Sequence, residues 1–162
     1  IAKAKKKAGR DAKDGVIIPY IHPGSKLGVL VEINCETDFV ARTDGFQDFA
    51  RDIAMHIAAT APLAINREDI SSDIVLKEKE IFKEQALQSG KPENIVEKMV
   101  EGRLNKFYQE NVLLEQSFVK NPDQVIQDLL SDTISTLGEN IEIKRFSRFQ
   151  LGELTTSDSN SE

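Results

Sequence analysis

Apolar positions along this chain follow three different rhythms, and each rhythm predicts a different kind of element. Val16-Ile17-Ile18-Pro19-Tyr20-Ile21-His22 and Leu27-Gly28-Val29-Leu30-Val31-Glu32-Ile33 are short runs of β-branched and aliphatic residues, which predicts two strands. Pro23-Gly24-Ser25-Lys26 between them has turn chemistry, so the pair reads as an antiparallel hairpin. Pro19 has no N–H to give a ladder, which places the first strand at a sheet edge. From Asp44 to Ala61 the rhythm changes to intervals of three and four. Phe46, Phe49, Ala50, Ile53, Ile57 and Ala61 then share one helical face, with Asp44 as N-cap and Pro62 as stop. Near the other end, Ile141-Glu142-Ile143-Lys144-Arg145-Phe146-Ser147-Arg148-Phe149 alternates apolar and polar residues, which marks a third strand with one wet face.

Two charged amphipathic segments lie between. Ile74, Val75, Ile81 and Phe82 pair off at a seven-residue interval in the first; Ile95, Val96, Met99, Val100, Leu104 and Phe107 line the second. Ser89-Gly90-Lys91-Pro92 separates them, with Gly at a helix end and Pro at the next start. A turn that short forces the two helices to run antiparallel, and Gly102 lets the arms approach closely. Leu113 to Val119 reads as an apolar connector, and a helix is expected from Pro122 through Val125, Ile126, Leu129, Leu130, Ile134 and Leu137 to Gly138. Residues 1–13 favour helix by composition, with Gly9 as a weak point and Gly15 as the end. The sum is an α+β fold: a small antiparallel three-stranded sheet packed on helices, with a protruding antiparallel helical hairpin. Its expected parts are a basic linker or helix over 1–14, a first core portion over 15–72, the hairpin over 73–110 and the rest of the core over 111–153. The polar tail over 154–162 is expected to be disordered.

Composition narrows the function classes. The chain has 162 residues, 40% hydrophobic and 30% charged, enough for a real core with an ordinary soluble balance. No apolar run approaches the roughly 20 residues that cross a bilayer. The single cysteine, Cys35, excludes an internal disulfide framework and suits a reducing compartment; a buried, inert thiol is expected. A net charge of −6 argues against a general affinity for nucleic acid or anionic membrane. Lys3, Lys5, Lys6, Lys7, Arg10 and Lys13 form one basic stretch, read as a solvated helix or linker. The chain starts without methionine or an apolar signal core, so a preceding segment is expected to be missing.

Catalytic chemistry finds few carriers. His22 and His56 have no cysteine or carboxylate at a zinc-ligand spacing. Gly24, Gly28 and Gly45 lack the spacing and the lysine of a phosphate loop. Glu32, Glu36 and Asp38 are close in sequence, but a strand end can point them apart. An RNA-binding or ribosome-associated reading would use the basic stretch together with Lys144, Arg145 and Arg148 beside Phe146 and Phe149. The alternation instead assigns Ile141, Ile143 and Phe149 to the face against the helices. Binding of a partner protein has more to recommend it. Polar Asn34, Glu36, Thr37 and Asp38 break the second strand, and Phe39-Val40 follows at once. Those two apolar residues either tuck under the next helix or fill a pocket of a partner, where apolar anchors dominate the energetics.

The run Val31-Glu32-Ile33-Asn34-Cys35-Glu36-Thr37-Asp38-Phe39-Val40-Ala41-Arg42 resembles the signature segment of the elongation factor Ts family. Lys6-Lys7-Ala8-Gly9-Arg10 with Gly15-Val16-Ile17 is similar to that family's linker into its first strand, and Asp52 to Ala59 to its helix motif. Ser89 to Pro92, Glu97 to Arg103 and Leu113 to Gln116 fall in its coiled-coil hairpin and exit; Leu137 to Phe149 resembles its last strand. The resemblance therefore runs through nearly the whole chain in order. It implies a guanine-nucleotide exchange factor, not an enzyme making or breaking bonds, that binds elongation factor Tu in its GDP-bound and nucleotide-free forms. Phe39 would wedge into the partner near its magnesium site, with Asp38 beside it, Thr37 and Val40 in the same contact, and His56 buttressing it. Lys7 and Met55 would make weaker contacts. The magnesium belongs to the partner, so no cofactor is expected. The family usually begins with a small ubiquitin-associated-like domain, and this chain enters only at its trailing linker. The match is to the short form, whose members can pair into homodimers. No membrane or direct nucleic-acid contact is implied; the expected compartment is bacterial cytoplasm, with plastid stroma or mitochondrial matrix as alternatives. The hairpin is either a lever against the partner or a solvated protrusion.

Overall fold

A computed structural model describes residues 2–154 of the chain. Along it run α1 (Ala2–Lys7), β1 (Asp14–Ile21), β2 (Leu27–Cys35), α2 (Asp38–Ala41), α3 (Asp44–Thr60), α4 (Ser72–Gln88), α5 (Glu93–Asn111), β3 (Ser117–Phe118), β4 (Asn121–Val125), α6 (Ile126–Leu137) and β5 (Ile141–Gln150). These elements form an α+β fold whose described residues divide into two compact units, one of residues 2–61 with 128–154 and one of residues 62–127.

The first unit is built on an antiparallel sheet in the order β1-β2-β5. β1 is an edge strand, as its proline requires, and β2 is central with ladders on both sides. Val29, Val31, Ile33 and Cys35 of β2 face inward, and with the buried residues of α3 they make up most of the core. Removing such side chains from water is what stabilises the unit, at about 25 cal/mol per Å² of apolar surface.

The last strand departs from the simple alternation. Ile141 and Ile143 are buried, facing Cys35 and Ile33, but the register shifts between Glu32 and Ile33 and leaves Lys144 as an extra residue. A bulge of this kind flips every side chain beyond it to the other face. Arg148 thereby turns inward, opposite Val29, and donates to the Ala58 carbonyl at 3.0 and 3.3 Å. Phe149, expected on the helix side, instead pairs with Gly28 on the outer face and is 72% exposed.

α3 occupies the span its periodicity predicts, but its N-cap is Thr43, whose hydroxyl accepts from Phe46 N at 3.3 Å. Asp44 sits in the first turn, where its charge suits the positive end of the helix. The helix ends at Ala61 in a left-handed conformation, φ 45° and ψ 58°. An L-residue with a Cβ pays about 1–2 kcal/mol for that conformation, and glycine does not. Ala61→Gly is expected to raise stability by about 0.5–1 kcal/mol after the entropy of glycine in the unfolded chain is counted. A denaturant titration should show the shift as a higher midpoint with unchanged slope.

Two further sequence expectations are corrected. The first helix stops at Lys7 and does not extend to residue 13; a helix this short has too few hydrogen bonds to carry past Gly9. Pro122 does not open α6. It lies in β4, which pairs with β3 through Ser117↔Val125 and Phe118↔Asn121, and the register shift between those pairs asks no ladder bond of the proline. Ile126, donating to the Gln116 carbonyl at 3.0 Å, starts the helix instead. The apolar connector from Leu113 becomes one 3-10 turn, Leu113–Glu115, followed by this ribbon.

In the second unit α4 and α5 pack as a helical hairpin, with Arg103 donating to Gln85 and lying 5.8 Å from the Phe82 ring. Ala64, Ile70 and Val112 form a small core with Val75, Phe107 and Tyr108 packed against it. Arg67 closes that end: it donates to both Glu115 carboxylate oxygens, at 2.7 and 2.6 Å, and its guanidinium lies 4.4 Å from the Tyr108 ring centre. The hydrogen bonds to Glu115 hold its pKa above the ordinary arginine value. The tail expected to be disordered lies, from residue 155 on, outside the described residues.

Candidate functional site

β2 ends at Cys35, and the polar break that follows folds into the single helical turn α2. Thr37 caps it, extended at φ −132° and ψ 151°, with its hydroxyl accepting from Val40 N at 3.3 Å. One turn of helix can present only one side to a core. Val40 and Ala41 take that side and are buried, while Asp38, Phe39 and Arg42 face solvent. The two fates open to the Phe-Val pair are thus divided between them. Val40 tucks under, and Phe39 stands out with 81% of its surface exposed. Asp38 and Arg42 pair across the turn beside it, an (i, i+4) ion pair on the exposed side.

Side chains from several segments hold this turn. Thr43 Oγ1 donates to the Val40 carbonyl at 2.7 Å, Gln47 Nε2 to the Ala41 carbonyl at 2.7 Å, and the Cys35 thiol to the Thr37 carbonyl at 3.2 Å. From far along the chain, Glu139 Oε1 accepts from Glu36 N at 3.1 Å and Thr37 N at 2.9 Å, and Oε2 accepts from Thr37 Oγ1 at 2.7 Å. The next residue, Asn140, donates to the Arg10 carbonyl at 2.8 Å, and Arg10 lies 3.8 Å from Glu36. Glu139 escaped the sequence reading because it sits 102 residues from Thr37, and no local pattern connects them.

The other singled-out residues are spread more widely. Thr37, Asp38, Phe39 and Val40 are brought together on and around α2. Lys7 is half-buried, with its amine near Gly138 in the corner that precedes Glu139. Met55 and His56 lie on α3, roughly 17 Å beyond its first residue at 1.5 Å per residue. His56 is wholly buried. It belongs to the buried face of α3, with Ile53 and Ile57.

Cys35 is the inert thiol its position suggests. It is fully buried, and burial, with the Glu139 carboxylate adding to it, pushes the thiol up to about 11. The folded state therefore prefers the neutral thiol. That preference is fully present below the unfolded pKa and is lost as pH rises through about 11. Cys35 should resist alkylation by iodoacetamide at pH 7.5 until denaturant is added, and the denaturation midpoint should fall between about pH 9 and 11 relative to Cys35→Ala. Rapid labelling of the native protein would contradict the burial.

The carboxylates of the segment do not converge. Glu32 receives Arg145 Nε at 2.8 Å, and that hydrogen bond, with a further one from Asn34, holds its pKa below the ordinary value. Glu36 and Asp38 face Arg10 and Arg42 separately. Among the described residues no three His, Cys, Asp or Glu side chains are grouped to hold a metal ion, and no helix is long and apolar enough to cross a membrane. The basic residues of β5 are engaged within the fold: Arg145 on Glu32, Lys144 3.8 Å from Glu142, and Arg148 on the Ala58 carbonyl.

An exposed phenylalanine on a stapled turn, beside an ion pair, is the apolar side chain that this segment leaves uncovered. The family model described as Elongation factor TS matches residues 2–153. The elongation factor Ts of Carboxydothermus hydrogenoformans is 61% identical over 153 residues, covering 94% of this chain and 70% of that protein. The one from Geotalea daltonii is 57% identical over 153 residues, covering 94% and 71%. The one from Thermoanaerobacter sp. (strain X514) is 54% identical over 160 residues, covering 99% and 78%. With nearly every described residue inside that match, this chain belongs to the elongation factor Ts family.

Proposed function

We propose that this chain is a guanine-nucleotide exchange factor: it binds elongation factor Tu in its GDP form and promotes GDP release by disturbing the partner's magnesium and phosphate site. The observation that carries the reading is the exposed Phe39 ring on a turn whose backbone is held from several sides. Phe39 acts as the wedge, Asp38 and Thr37 contact the partner beside it, and Val40 anchors the turn from beneath. His56 buttresses the same contact from α3, and Lys7 and Met55 make weaker contacts. Burying one Phe side chain is worth roughly 1.5–3 kcal/mol, about a ten- to hundredfold change in an equilibrium. That is a fitting size for one element of an exchange factor.

No covalent step is involved, and the chain itself needs no cofactor; the magnesium is the partner's. Linkage makes the action reciprocal. If the factor weakens GDP binding by some ratio, GDP weakens factor binding by the same ratio. The place of action is the bacterial cytoplasm, in line with the organisms of the relatives. Short-form members of the family can pair into homodimers, and the outer sheet face with exposed Ile17, Ile21, Leu30 and Phe149 is the apolar surface a second copy would cover.

The test is a chase of fluorescent GDP from elongation factor Tu. Addition of this chain should raise the release rate in a saturable manner, and gel filtration should show a complex with the nucleotide-free GTPase that excess GDP dissociates. No acceleration and no complex would remove the reading. Salt-sensitive binding to RNA in their place would favour the nucleic-acid alternative.

A further inference from the structure

The turn α2 has four residues, and a helix that short does not hold its own shape, because nucleation costs more than so few hydrogen bonds return. Its form must come from outside. Cys35, Thr43 and Gln47 each supply one hydrogen bond to it, and all three are its neighbours in sequence. Glu139 supplies three bonds to its leading edge, from more than a hundred residues along the chain. They are charge-assisted, which makes them the stronger ones.

The placement of Glu139 is itself built. Gly138, at φ +82°, ends α6 in the left-handed conformation that glycine adopts freely, and its N–H bonds to the Ile134 carbonyl at 2.9 Å. The chain then enters β5 at Ile141, so Glu139 and Asn140 sit at a rigid corner between helix and strand. Glu139 faces the α2 turn, while Asn140 ties the linker through Arg10. Thr37 links the clamp to the wedge. Its hydroxyl donates to Glu139 Oε2 and accepts from Val40 N, so one oxygen joins the carboxylate to the first turn of the helix that carries Phe39.

We propose that Glu139 is a positioning residue for nucleotide exchange: it fixes the α2 turn in the shape that presents Phe39 outward to the partner. The inference rests on the exchange reading above and acts through Phe39, not through contact with nucleotide. An unclamped turn samples other shapes, and the ordering must then be supplied at the moment of binding, which weakens the wedge.

A double-mutant cycle tests it. Glu139→Ala should lower the acceleration of GDP release about tenfold, and Glu139→Gln about threefold, since the amide keeps an acceptor for Glu36 and Thr37 N–H but loses the one for the Thr37 hydroxyl. In a Phe39→Ala background, Glu139→Ala should change the rate by less than about twofold. Equal losses in both backgrounds would mean that Glu139 serves only the stability of the fold, and the inference would fall. It would fall equally if Glu139→Ala left exchange intact. Hydrogen exchange of the free protein gives a second readout: the Glu36 and Thr37 amides should lose protection in Glu139→Ala while those of α3 keep theirs. Should Glu139→Ala fail to fold, Glu139→Gln carries the same cycle. If the unmutated chain does not accelerate release at all, the exchange reading is what fails, and a positioning role in exchange fails with it. If the unmutated chain does accelerate release, the cycle judges Glu139 alone.

Discussion

Phe39→Ala is expected to lower the acceleration of GDP release from elongation factor Tu by roughly ten- to hundredfold, the equivalent of about 1.5–3 kcal/mol of side-chain burial. The same change should leave the melting temperature of the free chain almost unmoved. The ring is 81% exposed, so the fold loses little when it goes, and exposed substitutions usually stay within about 0.5 kcal/mol. This separation of function from stability is the diagnostic part. Val40→Ala on the adjacent position should behave in the opposite sense, since Val40 is buried. It should lower stability by about 1–3 kcal/mol and reduce exchange only as far as the turn loosens. Fluorescent-GDP chase and thermal melts on the two variants check both halves. An unmutated rate with Phe39→Ala would place the wedge elsewhere on the chain.

The largest loss of stability is expected from Gly15→Ala. Gly15 lies in β1, opposite Asn34, with φ +141°, a conformation in which side-chain-bearing residues are strained by about 1–3 kcal/mol. Space makes it worse. A Cβ there would lie 2.1 Å from the Ile33 carbonyl oxygen and 2.7 Å from Asn34 Cα, and backbone atoms cannot rotate away as a side-chain tip can. The start of β1 would have to part from β2, giving up ladder bonds at the end of the strand that leads into Cys35 and the α2 turn. A total loss of about 3–4 kcal/mol follows, seen as a fall in Tm of roughly 10 °C for a domain of this size. Exchange should fall as well, because the segment carrying Phe39 hangs from the loosened strand end. Gly9→Ala, where a Cβ meets nothing, is the control and should change little. A melting curve for Gly15→Ala matching that of the unmutated chain would contradict the close approach.

Much of this fold was legible in the order of residues. The β1–β2 hairpin, the edge position of the strand with Pro19, α3, the α4–α5 hairpin and β5 all follow from local rules. Periodicity selects which side of an element is apolar, and Gly or Pro marks where it stops, each within a few residues. The polar break after β2 with an aromatic inside it also stood out unaided, and its resemblance to one family gave it a functional reading.

Other features depend on contacts that no local rule encodes. Lys144 becomes a bulge only because β5 must match Glu32 and Ile33 on its neighbour, and that one extra residue sends Phe149 outward and Arg148 in. β3 and β4 pair around a proline that, read by itself, looks like a helix start. The sequence by itself determined the β1–β2 hairpin, α3, the α4–α5 hairpin and β5, with their order, and singled out Phe39, because propensity, turn chemistry and apolar spacing act at short range. Only the tertiary structure decided that Val40 goes in while Phe39 stays out, that His56 is buried in the core, and that Glu139 clamps the turn. Those outcomes are settled when the sheet and helices pack, and the Glu139 contact joins residues a hundred positions apart.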